Sequence, residues 1–207
     1  MIIVTGKVAL DAGHLMSAEA LNVKVKELIP KVNITPFISC PRANKVPRID
    51  GEMSPGEWSR AVAVTGFTTT NYEFSPRQTI VWITYDEKNL YIAFRSEMMN
   101  VHGKNYGENK QDCQFRHYLD FFEIHLVPDN LNRFQLMINP AGGIIDYNHT
   151  LKGKAAKDWN GKYTYRTTNV DSGDTSGGVQ TFARRFWTGE IAIPYTSLGV
   201  KPPQTGM

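Results

Sequence analysis

The stretch that decides the fold is Thr79-Ile-Val-Trp-Ile-Thr-Tyr85, then Asp86-Glu-Lys-Asn89, then Leu90-Tyr-Ile-Ala-Phe-Arg95. Both arms are dominated by β-branched and aromatic residues, which pack well on a pleated, half-buried surface. The four polar residues between them suit a hairpin loop, so the segment predicts two antiparallel strands. Within the first arm, Ile80, Trp82 and Thr84 alternate with Val81 and Ile83. That alternation assigns Trp82 to packing.

The same texture continues on both sides. Leu119 to Val127 and Phe134 to Asn139 read as a second hairpin across Pro128-Asp-Asn-Leu-Asn132, and Pro140-Ala-Gly-Gly143 turns the chain into a strand from Ile144 to His149. Further strands are expected at Lys162 to Thr168 and Trp187 to Ile193, with Asp171 to Gly178 a polar, Gly-rich loop between them. Seven or more short strands at such spacings, without helices alternating between them, predict an all-β, antiparallel β-sandwich of immunoglobulin or jelly-roll type. Upstream, Ser54-Pro55-Gly56-Glu57 has the pattern of a capping box, which places Trp58 on a single helical turn expected to plug one end of the sandwich. Ser17 to about Leu28, with Pro30 just beyond, reads as one helix in a short N-terminal appendage or linker over residues 1–35. The sandwich is assigned to residues 36–207.

Composition narrows the function classes. Of 207 residues, 41% are hydrophobic and 21% charged, which is globular and excludes a wholly disordered or collagen-like chain. No apolar run approaches the roughly 18 residues of a membrane span. Lys and Arg exceed Asp and Glu by only 23 − 20 = 3, with no basic block, so no nucleic-acid footprint is present. Met1 to Val4 is apolar but is broken at once by Thr5-Gly6-Lys7, so no signal peptide is read in this chain. Cys40 and Cys113 lack the spacing of a zinc or redox pair; they are compatible with one bridge or with two unpaired thiols.

Side chains alternate across a strand, and this period separates the faces of the second hairpin. Phe122, Ile124, Leu126, Phe134, Leu136 and Ile138 form one side and must be core. Phe121, Glu123, His125, Gln135, Met137 and Asn139 form the other. Such a mixture of planar hydrogen-bonding groups and an aromatic is either a solvated outer surface or the floor of a shallow site for a polyhydroxylated ligand. Trp159, in the polar turn Lys157-Asp-Trp-Asn-Gly161, is the best candidate for an exposed stacking ring or, equally, a Trp folded back on the sandwich. Catalytic pairing is not expected: a glycosidase needs two carboxyls about 5–10 Å apart, whereas Glu123 is alone on its face and Asp120 lies on the opposite one. No nucleophile-elbow, zincin or phosphate-loop motif occurs.

Five strings, in order, resemble family 9 carbohydrate-binding modules. They are Pro47-Arg-Ile-Asp-Gly51 with Glu57-Trp58; the hairpin with Tyr85-Asp86 and Asn89 to Phe94; Asp120-Phe-Phe-Glu123-Ile; Gln135-Leu-Met-Ile-Asn139-Pro-Ala-Gly142; and Trp187-Thr-Gly-Glu190-Ile-Ala-Ile-Pro194 through Leu198-Gly199. The resemblance covers about Pro41 to the C-terminus. It implies a non-catalytic sandwich that binds β-linked sugars, attached to a glycoside hydrolase in an exported bacterial protein, with no required cofactor and a structural calcium ion in many members. It places Glu123 and Asn139 among the sugar-contacting groups, with Gln135 beside them, and puts the first aromatic of the ring clamp at His117, next to Tyr118. It also assigns Trp58 and Trp187 to packing. The family's arginine two residues before the asparagine is Met137 here, which removes a charged donor. The second clamp aromatic belongs to a closing segment that the family carries beyond the position of Gly206. The chain is therefore expected to be part of a longer protein and to leave a sheet edge unpaired. Two other readings are a structural or protein-interaction sandwich and, since related sandwiches hold b-type haem, a haem site using Met137 or His125.

Overall fold

The computed structural model describes residues 38–71, 73–98, 108–114, 120–129, 131–171 and 185–203. Eight strands lie among them: β1 (Val62–Val64), β2 (Thr79–Tyr85), β3 (Asn89–Glu97), β4 (Phe122–Leu126), β5 (Phe134–Ile138), β6 (Ile144–Asn148), β7 (Thr164–Asp171) and β8 (Arg185–Pro194). They form two antiparallel sheets, a five-stranded one in the order β1-β2-β3-β8-β7 and a three-stranded one in the order β4-β5-β6. One turn of helix, α1 (Lys154–Lys157), and a 3₁₀ turn at Tyr195–Leu198 complete the described elements. The protein is an all-β sandwich. The expected helix at Ser17 to Leu28 lies outside the described residues, as does the loop beyond Asp171.

The deciding hairpin forms with Thr79 opposite Ser96 and Tyr85 opposite Leu90. Its loop closes through one side chain: Asp86 Oδ1 accepts from the Lys88 and Asn89 N–H groups at 2.7 and 2.8 Å, and Oδ2 accepts from the Tyr91 hydroxyl at 2.7 Å. These bonds replace the water that an open four-residue loop would need for its backbone donors. They also favour the charged carboxyl and hold the Asp86 pKa below its ordinary value, against the burial that pushes it up.

The core fills the space between the sheets. Val81, Ile92, Phe94, Trp187, Ile191 and Ile193 from the larger sheet meet Ile124, Phe134, Leu136, Ile138 and Ile144 from the smaller. Phe94 is the contact between the layers: its ring stacks on Phe122 at 3.9 Å and meets Trp187 edge-on at 4.7 Å. The period-2 assignment of the second hairpin holds, since Phe122, Ile124, Leu126, Phe134, Leu136 and Ile138 all belong to this core.

The outer face of the five-stranded sheet is also covered, by the segment from Pro41 to Ala61. Trp58, 5% exposed, packs on Tyr91, Ala93 and Ala192, with Ile49, Met53, Ala61 and Trp82 around it. The expected helical turn that plugs one end of the sandwich is thus corrected: residues 55–60 form successive turns lying across the sheet. The capping logic survives in part, because Glu57 accepts from the Ser54 and Arg48 N–H groups at 3.3 and 2.6 Å. The small Ala93 and Ala192 side chains let the Trp58 indole pack directly on the sheet face.

One carboxylate fastens this cover. Glu190 of β8, 1% exposed, accepts from Trp58 Nε1 at 2.8 Å through one oxygen and from the Gly51 and Asp50 N–H groups at 2.9 and 3.1 Å through the other. Beside it the Thr188 hydroxyl donates to the Gly51 carbonyl at 2.7 Å. Gly51 has φ +86°, and a Cβ there would lie 2.7 Å from Thr168 Oγ1, so the chain reaches this carboxylate only with glycine. A buried carboxylate loses several kcal/mol of hydration, and three donors at about 1.5–3 kcal/mol each offset it. Burial nevertheless keeps the Glu190 pKa raised.

Removing this acceptor leaves two buried donors and one partly buried donor without partners. Glu190→Ala is expected to lose about 3 kcal/mol or more of unfolding free energy in urea, and Glu190→Gln a smaller amount, because one oxygen remains. A Glu190→Ala loss under about 1 kcal/mol would show that the cover is held by Trp58 packing instead.

Candidate functional site

The outward row of the three-stranded sheet is assembled by register. Glu123 stands opposite Met137, His125 opposite Gln135, Gln135 opposite Tyr147 and Met137 opposite Ile145. The result is a patch of two different characters.

Toward Leu126 and Asn148 the face is polar and accessible. Glu123, with 32% of its side chain exposed, receives two donors on Oε1: the Gln135 carboxamide and His125 Nε2, the latter at 2.8 Å. No described residue donates to Glu123 Oε2. Gln135 Oε1 in turn lies 2.6 Å from His149 Nε2, so a hydrogen-bonded line runs His125, Glu123, Gln135, His149 from β4 across β5 to the turn that follows β6. With Gln135 donating through Nε2, its Oε1 accepts, and His149 is the donor in that contact. The rings of His149 and the half-buried Tyr147 are 5.8 Å apart and tilted by 40°. Burial holds the His125 pKa below its ordinary value, and Nδ1 is buried without a hydrogen-bond partner. His125 is therefore a neutral donor to Glu123 at neutral pH.

Toward the β5–β6 turn the face is closed. Met137 and Ile145 are buried beneath Cys113, with Tyr147 alongside, and Met137 Sδ accepts a weak contact from Gln135 at 3.6 Å. Asn139, 8% exposed, is used up by structure: Oδ1 accepts from the Gly143 N–H at 2.9 Å, and Nδ2 donates to the Glu108 carbonyl at 3.1 Å and toward Cys113 Sγ at 3.6 Å. Cys40 and Cys113 are unpaired thiols. Of the expected site residues, the fold brings Glu123 and Gln135 together with His125, and sets Asn139 under cover as the clamp of the turn. His117 and Tyr118 lie outside the described residues.

Trp159 belongs to a different place. Its ring packs against Phe134 at 5.1 Å, on the inward side of β5, so the three-stranded sheet separates it from Glu123. It is half-buried and borders an open depression of about 320 Å³ with Asn160, Gly161, Lys162, Thr196 and Ser197.

Beneath this turn sits a group the sequence reading passed over. Asp146, wholly buried, occupies the inward series Ile144, Asp146, Asn148 of β6. Oδ1 accepts from Gln111 Nε2 at 2.8 Å and Oδ2 from the Gly161 N–H at 2.7 Å; the same Gln111 nitrogen donates to Asn160 Oδ1 at 2.7 Å. No cation pairs with it among the described residues, and burial raises its pKa. The signal was available: an acid at an inward position of a strand breaks the apolar alternation. As to the expected calcium, no group of three or more His, Cys, Asp or Glu side chains among the described residues is arranged to hold a metal ion.

Asp146 has a testable pH signature. A carboxyl whose folded pKa is raised binds its proton more tightly in the folded state, so it adds stability as pH falls through that raised value toward the ordinary 3.8. His125, with a lowered folded pKa, acts oppositely below its ordinary 6.5. Comparison with Asp146→Asn isolates the first effect. Wild type is expected to gain unfolding free energy relative to the variant as pH falls from neutrality toward the ordinary 3.8, measured by urea titration at each pH. A constant difference would mean that the Asp146 carboxyl is not perturbed.

No protein-family model matches the chain, and no curated protein matches it.

Proposed function

We propose that the domain is a non-catalytic carbohydrate-binding module, taking β-linked oligosaccharide or polysaccharide on the outer face of the three-stranded sheet and serving a linked glycoside hydrolase in an exported protein. The observation that carries this reading is the state of Glu123. One oxygen is held by two donors, His125 from its own strand and Gln135 from the neighbouring one, and no described residue donates to the other. A carboxylate oriented in this way suits a sugar hydroxyl, because hydrogen bonds to charged acceptors contribute about 1.5–3 kcal/mol. His149 and Tyr147 add ring surface and a further polar group within the same patch. The five ordered motifs that resemble family 9 modules support the same ligand class.

Binding without catalysis accords with the carboxylate count. Glu123 is the sole carboxylate in the described outward series of β4, β5 and β6, and Asp146 points into the sandwich. Among the described residues of these strands no second acid stands beside Glu123, the pairing that hydrolysis would require. A second reading rests on a different observation: Val127, Leu131 and Leu151, 64%, 81% and 42% exposed, gather near the end of the three-stranded sheet, as a protein-interaction surface would.

Calorimetric titration with cellobiose and xylobiose decides between them. Saturable binding is expected, weakened by at least about 1 kcal/mol in Glu123→Ala. Equal affinities for variant and wild type would remove Glu123 from the site. Absence of binding to any of several β-linked oligosaccharides, with the fold intact by circular dichroism, would favour the interaction surface.

A further inference from the structure

The depression beside Trp159 has features that packing alone does not require. Its aromatic wall is held by Phe134 on one side and by the backbone at Gly161 on another. Phe134 packs on the indole at 5.1 Å, and a Cβ on Gly161 would lie 2.7 Å from Trp159 Cη2 and 2.4 Å from Tyr163 Cε1. Position 161 must therefore be glycine for the indole to fold over the backbone there. The turn beneath is tied to the sandwich interior by Asp146, through the Gly161 N–H and, by way of Gln111, through Asn160. The buried Tyr163 phenol borders the same carboxylate; burial and that neighbouring charge hold its ionisation far above the ordinary range. A fully buried carboxylate with no cation beside it is costly to the fold. Here it anchors an exposed turn, whose only evident product is a ring held in one orientation at the edge of an open hollow.

Opposite the ring, the 3₁₀ turn presents hydroxyl groups. Ser197 Oγ donates to the Lys162 carbonyl at 2.6 Å, which uses its proton and leaves its lone pairs to accept. No described residue bonds the exposed Thr196 hydroxyl, the Lys162 ammonium or the Trp159 indole N–H. About 320 Å³ is at the small end of ligand pockets, which span roughly 300–1,000 Å³. An aromatic wall with its own N–H, and hydroxyl and ammonium groups around the same hollow, match one pyranose ring, which has an apolar C–H face and a rim of hydroxyls. Pre-set side chains lose little freedom on binding.

We infer that the depression lined by Trp159, Lys162, Thr196 and Ser197 is a second sugar-binding site, taking a single pyranose residue, separate from the Glu123 face and separated from it by the three-stranded sheet. It rests on the carbohydrate reading for the class of ligand, and on its own geometry for the site. Two contact sites on one domain would let it hold two chains, or two stretches of one chain, at once.

The test is a ¹⁵N-resolved titration of the whole chain with cellotetraose and xylotetraose. The Trp159 indole N–H and the Thr196 and Ser197 amides report on the depression, and the Glu123 and Gln135 amides report on the sheet face. Both sets are expected to shift saturably with separate affinities. In Glu123→Ala the depression signals should still shift. Because Trp159→Ala removes a contact to Phe134 and can disturb the fold, the blocking variant is Thr196→Tyr, on an exposed position. It should weaken binding at the depression by about tenfold or more and change sheet-face affinity by less than about twofold. Shifts confined to the sheet face would overturn the second site and leave the proposed function standing. Shifts confined to the depression would uphold the second site and remove the sheet face. No shifts in either set would overturn both.

Discussion

The Glu190 carboxylate is the interaction on which the arrangement of this protein depends. A five-stranded sheet has two faces, and only one can be buried by the partner sheet. The other carries Tyr91, Ala93, Trp82 and Ala192, an apolar surface that has to be covered. The cover is a non-repetitive segment, which has no ladder of its own to satisfy its backbone. Glu190 supplies that satisfaction at one point, binding two successive N–H groups and the indole that lies over the sheet. Because Ile191 and Ile193 face the core from the same strand, β8 serves both faces of its sheet.

This arrangement leaves the three-stranded sheet as the layer with an open outer face. Its inner face is sealed by Phe94, Trp187 and the aliphatic core, and its outer face is covered only in part, where the segment at Cys113 lies over Met137 and Ile145. What stays open is the polar end, with Glu123, His125, Gln135 and His149 in one hydrogen-bonded line. The line has a direction set by chemistry: an acceptor carboxylate at its centre and donors on each side. It presents a fixed oxygen without the entropy loss of ordering a lone surface glutamate.

The sandwich and the two faces of its second hairpin were legible because they depend on local pattern. Alternation in Thr79–Tyr85 and Phe134–Ile138 reports which side chains share a face whatever the rest of the chain does. The placement of Trp58 was misread as an end plug because a capping-box pattern reports a local turn, not the surface that turn lies on. Asn139 illustrates another limit. By alternation it belongs with Glu123 and Gln135, and it does lie on that side, but the adjacent Pro140–Gly143 turn and the segment at Glu108 and Cys113 engage its amide. Trp159 was correctly seen as an aromatic in a polar turn; its distance from Glu123 follows from the crossing of the chain between sheets, which carries no local signature.

By itself, the sequence determined the fold class, the two hairpins and the loops that join their arms, the inward and outward residues of β4 and β5, and the lone standing of Glu123 among polar neighbours. These follow from side-chain alternation and turn chemistry, which act over a few residues. Only the tertiary structure decided that Glu190 reaches Gly51 and Trp58, that His149 joins Gln135, that Asn139 is covered, and that Asp146 anchors the turn bearing Trp159. Several of these contacts join segments far apart along the chain, and their partners are chosen by how sheets stack and loops cross. No window of sequence contains both halves of such a bond.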